Sequence, residues 1–322
     1  MNAKERFLQS IRDGDLRAVR RWLGHDGVKH LRQFEYPENS YNYPLDVAID
    51  TCGKTGTSPV FRLLVENKFQ LNDEDRRGYR CIIRAASLQN IDALAFMVNH
   101  GAKLTWPQSG PENWCSAIQG LSARGRGPNG PSPCEDPKFE ATLRWLIRNG
   151  CSLNGLSFGL LHAAVDTGHH ELVRLLVKLG ANVNEVGHIL VGNRRGTPLH
   201  AYNGPYGSEN GYLAVEALLE AGADPYIKND KGLDASSYLA SLIERTRGSP
   251  DGVEEIVRVV RLIDPSFQPA ISSDRQFRPQ PLALGEAAAS GGIRPAPQNG
   301  HAHWWVFPLI IAAALAFALA LK

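Results

Sequence analysis

The segment AIDTCGKT, Ala48 to Thr55, comes nearest to a chemical device. It fits the permissive form of the phosphate-binding loop pattern, with alanine in the first place and Lys54 where a lysine would meet phosphates. That chemistry needs a buried strand before the loop and a helix opening after it, so that backbone N–H groups face the anion. The preceding residues, PLDVA, read as a helix instead, which places Lys54 in a turn between helices. A nucleotide-binding enzyme using this loop stands as an alternative function, and no catalytic residue or cofactor is assigned.

His162, His169 and His170 lie close together with Asp166 between them, a donor set that invites a metal. No cysteine or carboxylate recurs around them at zinc-ligand spacing, and no Ser/His/Asp set can be assembled, so no metal is assigned. The five cysteines, Cys52, Cys81, Cys115, Cys134 and Cys151, are odd in number and form no close pair, which reads as reduced and mostly buried thiols. A net charge of +2 gives no nucleic-acid footprint, which would need Lys and Arg clustered on one face. The start, MNAKERFLQS, has no apolar stretch like a signal peptide, and no Asn-x-Ser/Thr site occurs; both fit a cytosolic domain.

Trp304 to Leu321 is an uncharged apolar run, followed by Lys322. As a helix it spans roughly 27 Å, close to a bilayer core of about 30 Å. Trp304 and Trp305 stand where amphipathic rings prefer the interface, and Pro308 falls in the first turn. Much of the run is alanine, so the insertion energy rests on residues such as Leu309, Ile310, Ile311, Leu315 and Phe317 and comes to roughly −3 to −5 kcal/mol. The arrangement resembles tail-anchored membrane proteins, with everything N-terminal facing the cytosol. The endoplasmic reticulum and the mitochondrial outer membrane suit it alike. The alternatives are a core helix and a soluble regulator whose hydrophobic tail folds onto its own groove.

The elements ahead of this run repeat. The clearest copy is LLHAAVDTGHHELVRLLVKLGANVN, Leu160 to Asn184: a small-residue helix broken near Gly168, a second helix with Leu172, Val173, Leu175, Leu176 and Leu179 on one face, and Gly180 as its C-cap. Thr197, Pro198, Leu199, His200 and Ala201 follow as TPLHA, with Tyr202 next. These segments resemble the ankyrin repeat, whose signature is T-P-L-H-x-A. Tyr202 stands where that family prefers alanine, which implies locally wider helix packing.

The spacing from signature alanine to closing glycine is the same in Ser10–Asp26, Ala85–Gly101 and Ala164–Gly180. It is longer in Ala48–Lys68, Ile118–Gly150 and Tyr202–Gly222, and each excess falls between the two helices. The extra residues, around Gly53, from Gly120 to Pro137 and from Asn203 to Gly211, are rich in the Gly, Pro and Asn of exposed turns. With a degenerate block at Gly232 to Asp264, the resemblance implies an all-α ankyrin-repeat solenoid of about seven helix-turn-helix units joined by β-hairpin-like fingers. Residues 2–264 would form the solenoid, 265–303 a flexible Pro/Gly/Ser-rich linker and 304–321 the transmembrane helix.

The resemblance also assigns His162 and His200 to steadying neighbouring backbone and disfavours a metal. It implies a non-catalytic adaptor or scaffold that binds a cytosolic protein through its fingers and concave face. The fingers carry cations, Arg76 and Arg77 beside Tyr79, Arg194 with Arg195, and Lys228 with Lys231, so an acidic protein partner is expected, without nucleic acid or a small-molecule substrate. Four of these arginines, Arg76, Arg77, Arg194 and Arg195, are expected along one edge, and the insertions along the opposite one.

Overall fold

The computed structural model describes residues 3–24, 44–69, 71, 78–105, 116–124, 131–156, 159–189, 194–204, 210–246 and 249–269. They belong to the unit Met1–Ala270, which includes residues 265–269 of the expected linker, with Phe267 packed against the core; the rest of that segment and the run 304–321 lie outside the described residues.

Seven helix pairs follow one another among the described residues. The first three are α1 (Ala3–Arg12) with α2 (Leu16–Leu23), α3 (Pro44–Cys52) with α4 (Pro59–Glu66), and α5 (Gly78–Ser87) with α6 (Ile91–Asn99). In the fourth, a 3-10 helix, Ala117–Arg124, precedes α7 (Pro137–Arg148), with a short 3-10 turn at Pro133–Glu135 between them. The fifth is α8 (Leu160–Asp166) with α9 (His170–Lys178). In the sixth, a 3-10 turn, Pro198–Ala201, precedes α10 (Asn210–Glu220), and the last is α11 (Ala235–Thr246) with α12 (Pro250–Ile263).

First helices pack on first helices, α1 on α3, α3 on α5, α5 on Ala117–Arg124, and so on to α11. Among second helices α2 packs on α4, α9 on α10 and α10 on α12. The continuous core consists of the apolar faces these rows share, and the signature positions lie in it: Ala48, Ala85, Ile118, Ala164 and Tyr202 are all buried. Aromatic rings close the first unit, where Phe7 meets Trp22 and Phe69 edge-on with centroids 6.0 and 6.1 Å away.

Local chemistry fixes where helices begin. Side chains of Asp15, Ser58, Asn90, Asp136 and Ser249 accept the amides of Ala18, Phe61, Ala93, Lys138 and Gly252 and so cap five second helices. Pro59, Pro137 and Pro250 stand just inside three of these caps, where no N–H is needed. The ends repeat as well. Gly101, Gly150, Gly180 and Gly222 take φ of +95, +95, +94 and +85°, and the next amide donates back to Met97, Leu146, Leu176 and Leu218. The second unit makes the same turn with Lys68 at φ +51°, a left-handed conformation that a side chain disfavours.

Three expectations need correction. Tyr202 stands at the end of a short turn and not inside a full first helix, as the signature alanine would. The first helix of its unit shrinks to the turn Pro198–Ala201, and the ring, fully buried, passes to the last unit, where its hydroxyl donates to Glu255 Oε1 at 3.1 Å. The run from Gly120 to Pro137 is not wholly an exposed turn. Gly120 and Leu121 continue the first helix of their unit and are buried, and a Cβ on Gly120 would run into the carbonyl oxygen of Ile83. The third is Tyr79, expected in a finger; it lies in the first turn of α5.

Candidate functional site

Two fingers are described closely enough to build. After α9 the chain forms strands β1 (Gly187–Ile189) and β2 (Arg194–Gly196), an antiparallel pair in which His188 faces Arg195. His162 holds this hairpin from beneath: its Nε2 lies 3.0 Å from the Gly196 carbonyl, and a Cβ on Gly159 or Gly187 would come within 2.8 or 2.9 Å of the ring. Only glycine leaves the imidazole room at both places. Burial pushes the His162 pKa down to about 4, against smaller opposing contributions from the backbone of Gly196 and Glu185.

The sequence TPLHA forms the capping turn that leads out of the hairpin. The Thr197 amide donates to His200 Nδ1 at 3.2 Å, which leaves Nε2 to donate to the Leu233 carbonyl at 3.1 Å. His200 is therefore neutral and bridges two units, and burial lowers its pKa. Both signature histidines bind neighbouring backbone, as the resemblance implies. His169 is buried at the start of α9, without a capping bond from its side chain.

The second finger runs from Asp224 to Asp234. The Asp224 carboxylate accepts the Tyr226 amide at 2.9 Å, and Asn229 Oδ1 accepts the amides of Lys231 and Leu233 at 2.9 and 3.0 Å. Asp230 joins the fingers, accepting the Arg195 amide at 3.0 Å and donating its own amide to the Arg195 carbonyl at 3.0 Å. The Ser237 amide, then the Ser237 hydroxyl and after it Lys228, hold the Asp234 carboxyl below its ordinary range.

An asparagine ladder lies at the foot of these fingers. Asn154 donates to the Gly180 carbonyl at 3.0 Å and accepts the Asn182 amide at 2.8 Å; Asn184 repeats this with Gly222 and Asp224 at 3.4 and 2.7 Å. Sequence reasoning missed this ladder, although each asparagine stands at the same offset from a closing glycine, Gly150 and Gly180.

Of the expected partner-binding residues, Arg195, Lys228 and Lys231 are exposed, and the Arg195–Asp230 bonds tie together the backbones of the two fingers that carry them. Arg76 and Arg77 lie outside the described residues, as do the side chains of Tyr79 and Arg194. The structure adds Tyr226, 78% exposed, and Val186, 45% exposed. Their signal in the sequence is an apolar residue inside a finger.

The loop around Lys54 is built differently. It follows a helix, α3, and unit three clamps it: Asn90 Nδ2 donates to the carbonyls of Gly53 and Gly56, both at 3.0 Å, and Asp92 accepts the Gly56 amide at 2.7 Å. Arg84 pairs with Asp50 at 2.7 Å beside it. The Gly56 amide, the kind of donor a phosphate loop turns toward the anion, is engaged with the Asp92 carboxylate. Among the described residues Cys52, Cys81, Cys134 and Cys151 are free thiols, and burial raises the pKa of Cys81, Cys134 and Cys151. Cys115 lies outside the described residues.

The fold and this edge define a class, the all-α solenoid of stacked helix pairs with fingers between units. Residues 160–188 match the ankyrin repeat family model, and the chain folds as an ankyrin-type solenoid. An ankyrin repeat is a protein–protein interaction module, and residues 160–188 match one. Among solved structures, the chain is similar to the ankyrin repeat domain of Bcl-3, described as a unique member of the IkappaB protein family, with 21% identity and a TM-score of 0.46. That likeness covers 78% of this chain and 97% of that one. The human ASB11 ankyrin repeat domain is also similar, at 15% identity and a TM-score of 0.47, over 79% and 96% of the two chains. No curated protein matches.

Proposed function

We propose that the chain is a non-catalytic adaptor that recruits a cytosolic protein through its fingers and concave face while the run 304–321 holds it at a membrane. The observation that carries the recruiting half is the joined finger surface, on which Arg195, Lys228 and Lys231 are exposed on backbone fixed by hydrogen bonds. Exposed cations on rigid turns fit a partner of opposite charge. Affinity capture with the full chain tests this reading. A protein should be captured, and should be lost when Arg76, Arg77, Arg194 and Arg195 are replaced by Glu; a partner that survives the replacement moves the contact away from the fingers.

The anchoring half rests on the uncharged length of Trp304–Leu321. Among the described residues no helix is long and apolar enough to cross a membrane, and this run lies outside them. Ala314→Arg places a charge near its middle at a cost of about 2.5 to 3.5 kcal/mol, comparable with the whole insertion energy. Alkaline extraction should then release the protein; retention like that of the parent would rule out a spanning helix. The endoplasmic reticulum and the mitochondrial outer membrane both fit.

A further inference from the structure

Of the large apolar side chains exposed among the described residues, Tyr226 lies in the second finger, two residues from Lys228, and Val186 directly precedes the first. The acids of the same strip are committed to backbone: Asp224 to the Tyr226 amide, Asp230 to that of Arg195 and Asp234 to that of Ser237. Arg195, Lys228 and Lys231 form no ion pair within 4 Å among the described residues. The strip therefore presents cationic heads outside any ion pair and one nearly bare ring on a fixed backbone, while its carboxylates stay charged but are each held in place by a backbone amide. Backbone already held in place need not be ordered on binding, which leaves only the side chains to be immobilised.

We propose that the fingers spanning Gly187–Gly196 and Asp224–Asp234 bind a short acidic peptide segment with an apolar anchor, its carboxylates meeting Arg195, Lys228 and Lys231 and its anchor resting on Tyr226. This rests on the finger-mediated reading above and gives the partner its chemistry. Charge complementarity selects a peptide over an anionic membrane. A plane of headgroups would face Asp224, Asp230 and Asp234 along with the cations, whereas a peptide sets its acids only opposite the cations.

The test uses the full chain in mild detergent and fluorescent eight-residue peptides, rich in Asp and Glu, with Phe, Leu or Ala at one varied position. Control peptides carry Asn and Gln instead. Peptides with Phe or Leu should bind at least about tenfold more tightly than the amide controls and should weaken as salt rises from about 50 to about 300 mM. The triple variant Arg195→Glu, Lys228→Glu, Lys231→Glu should lose about tenfold or more, and Tyr226→Ala about threefold. Arg195 joins the fingers through its backbone, so the variant keeps that joint, and an unchanged melting curve verifies it. Equal binding by the amide controls, or by the triple variant, overturns the proposal. So does binding to phosphatidylserine vesicles that depends on the three cations while the peptides fail. Capture of a protein that is indifferent to the three cations overturns it too, yet leaves recruitment itself standing.

Discussion

At the residue scale, two neighbours in α8 titrate in opposite senses. His162 has a folded pKa of about 4 against 6.5 in model compounds, so the unfolded chain takes up a proton that the folded one refuses. Its contribution to stability is present above pH 6.5 and is lost as the pH falls toward 4. Asp166, raised by burial from 3.8 to about 7, does the reverse: its contribution is complete below pH 3.8 and is lost as the pH rises through 7. Between pH 4 and 6.5 the two slopes oppose each other. Asp166→Asn should expose the histidine slope, so that urea denaturation shows stability falling by about 1.4 kcal/mol per pH unit on acidification, with the shift of His200 adding in the same sense. A midpoint independent of pH in that variant would contradict the burial of His162. Lys68 is the other test at this scale. Glycine holds the same turn in four other units, so Lys68→Gly should relieve left-handed strain and raise stability by about 0.5 to 1 kcal/mol, read from the same denaturation.

At the scale of elements, the insertions prove more than spacers. Asn90 and Asp92 of unit three hold the loop around Gly53, and the first turns of the run from Gly120 are core. Shortening the run Gly120–Pro137 should therefore spare folding only if Gly120 and Leu121 are kept. Gly120→Ala would drive its methyl into the backbone oxygen of Ile83, which cannot swing aside as a flexible side chain would. A loss of about 1 to 3 kcal/mol in chemical denaturation is expected. Stability equal to the parent's would mean that Ala117–Arg124 and α5 do not approach so closely.

At the scale of the whole molecule, stacked units share one core, and each contacts chiefly its neighbours. Leu176 is fully buried in the central fifth unit, and its carbonyl accepts the amide that closes α9. Leu176→Ala should cost about 2 to 5 kcal/mol through the cavity it leaves. Because it weakens a middle unit, it should also broaden or split the thermal transition, which calorimetry can resolve. A melt unchanged in midpoint and width would be incompatible with the repeat register.

What the chain's residues settle by themselves is whatever depends on neighbours in sequence. The period of apolar positions, the caps at Ser58 and Asn90 and the glycine at Gly180 mark the helix pairs, because helix ends are stated by residues within a turn of them. The TPLHA segment and its histidine are legible for the same reason. Contacts between units decide the rest. Tyr202 looks like a misplaced alanine until Glu255, far along the chain, supplies its partner, and Gly120 looks like a turn residue until α5 is packed on it. The joining of the two fingers is likewise absent from any local pattern. It exists because Asp230 returns to the Arg195 backbone after a whole helix pair, and a bond of that span is fixed only when the units stack.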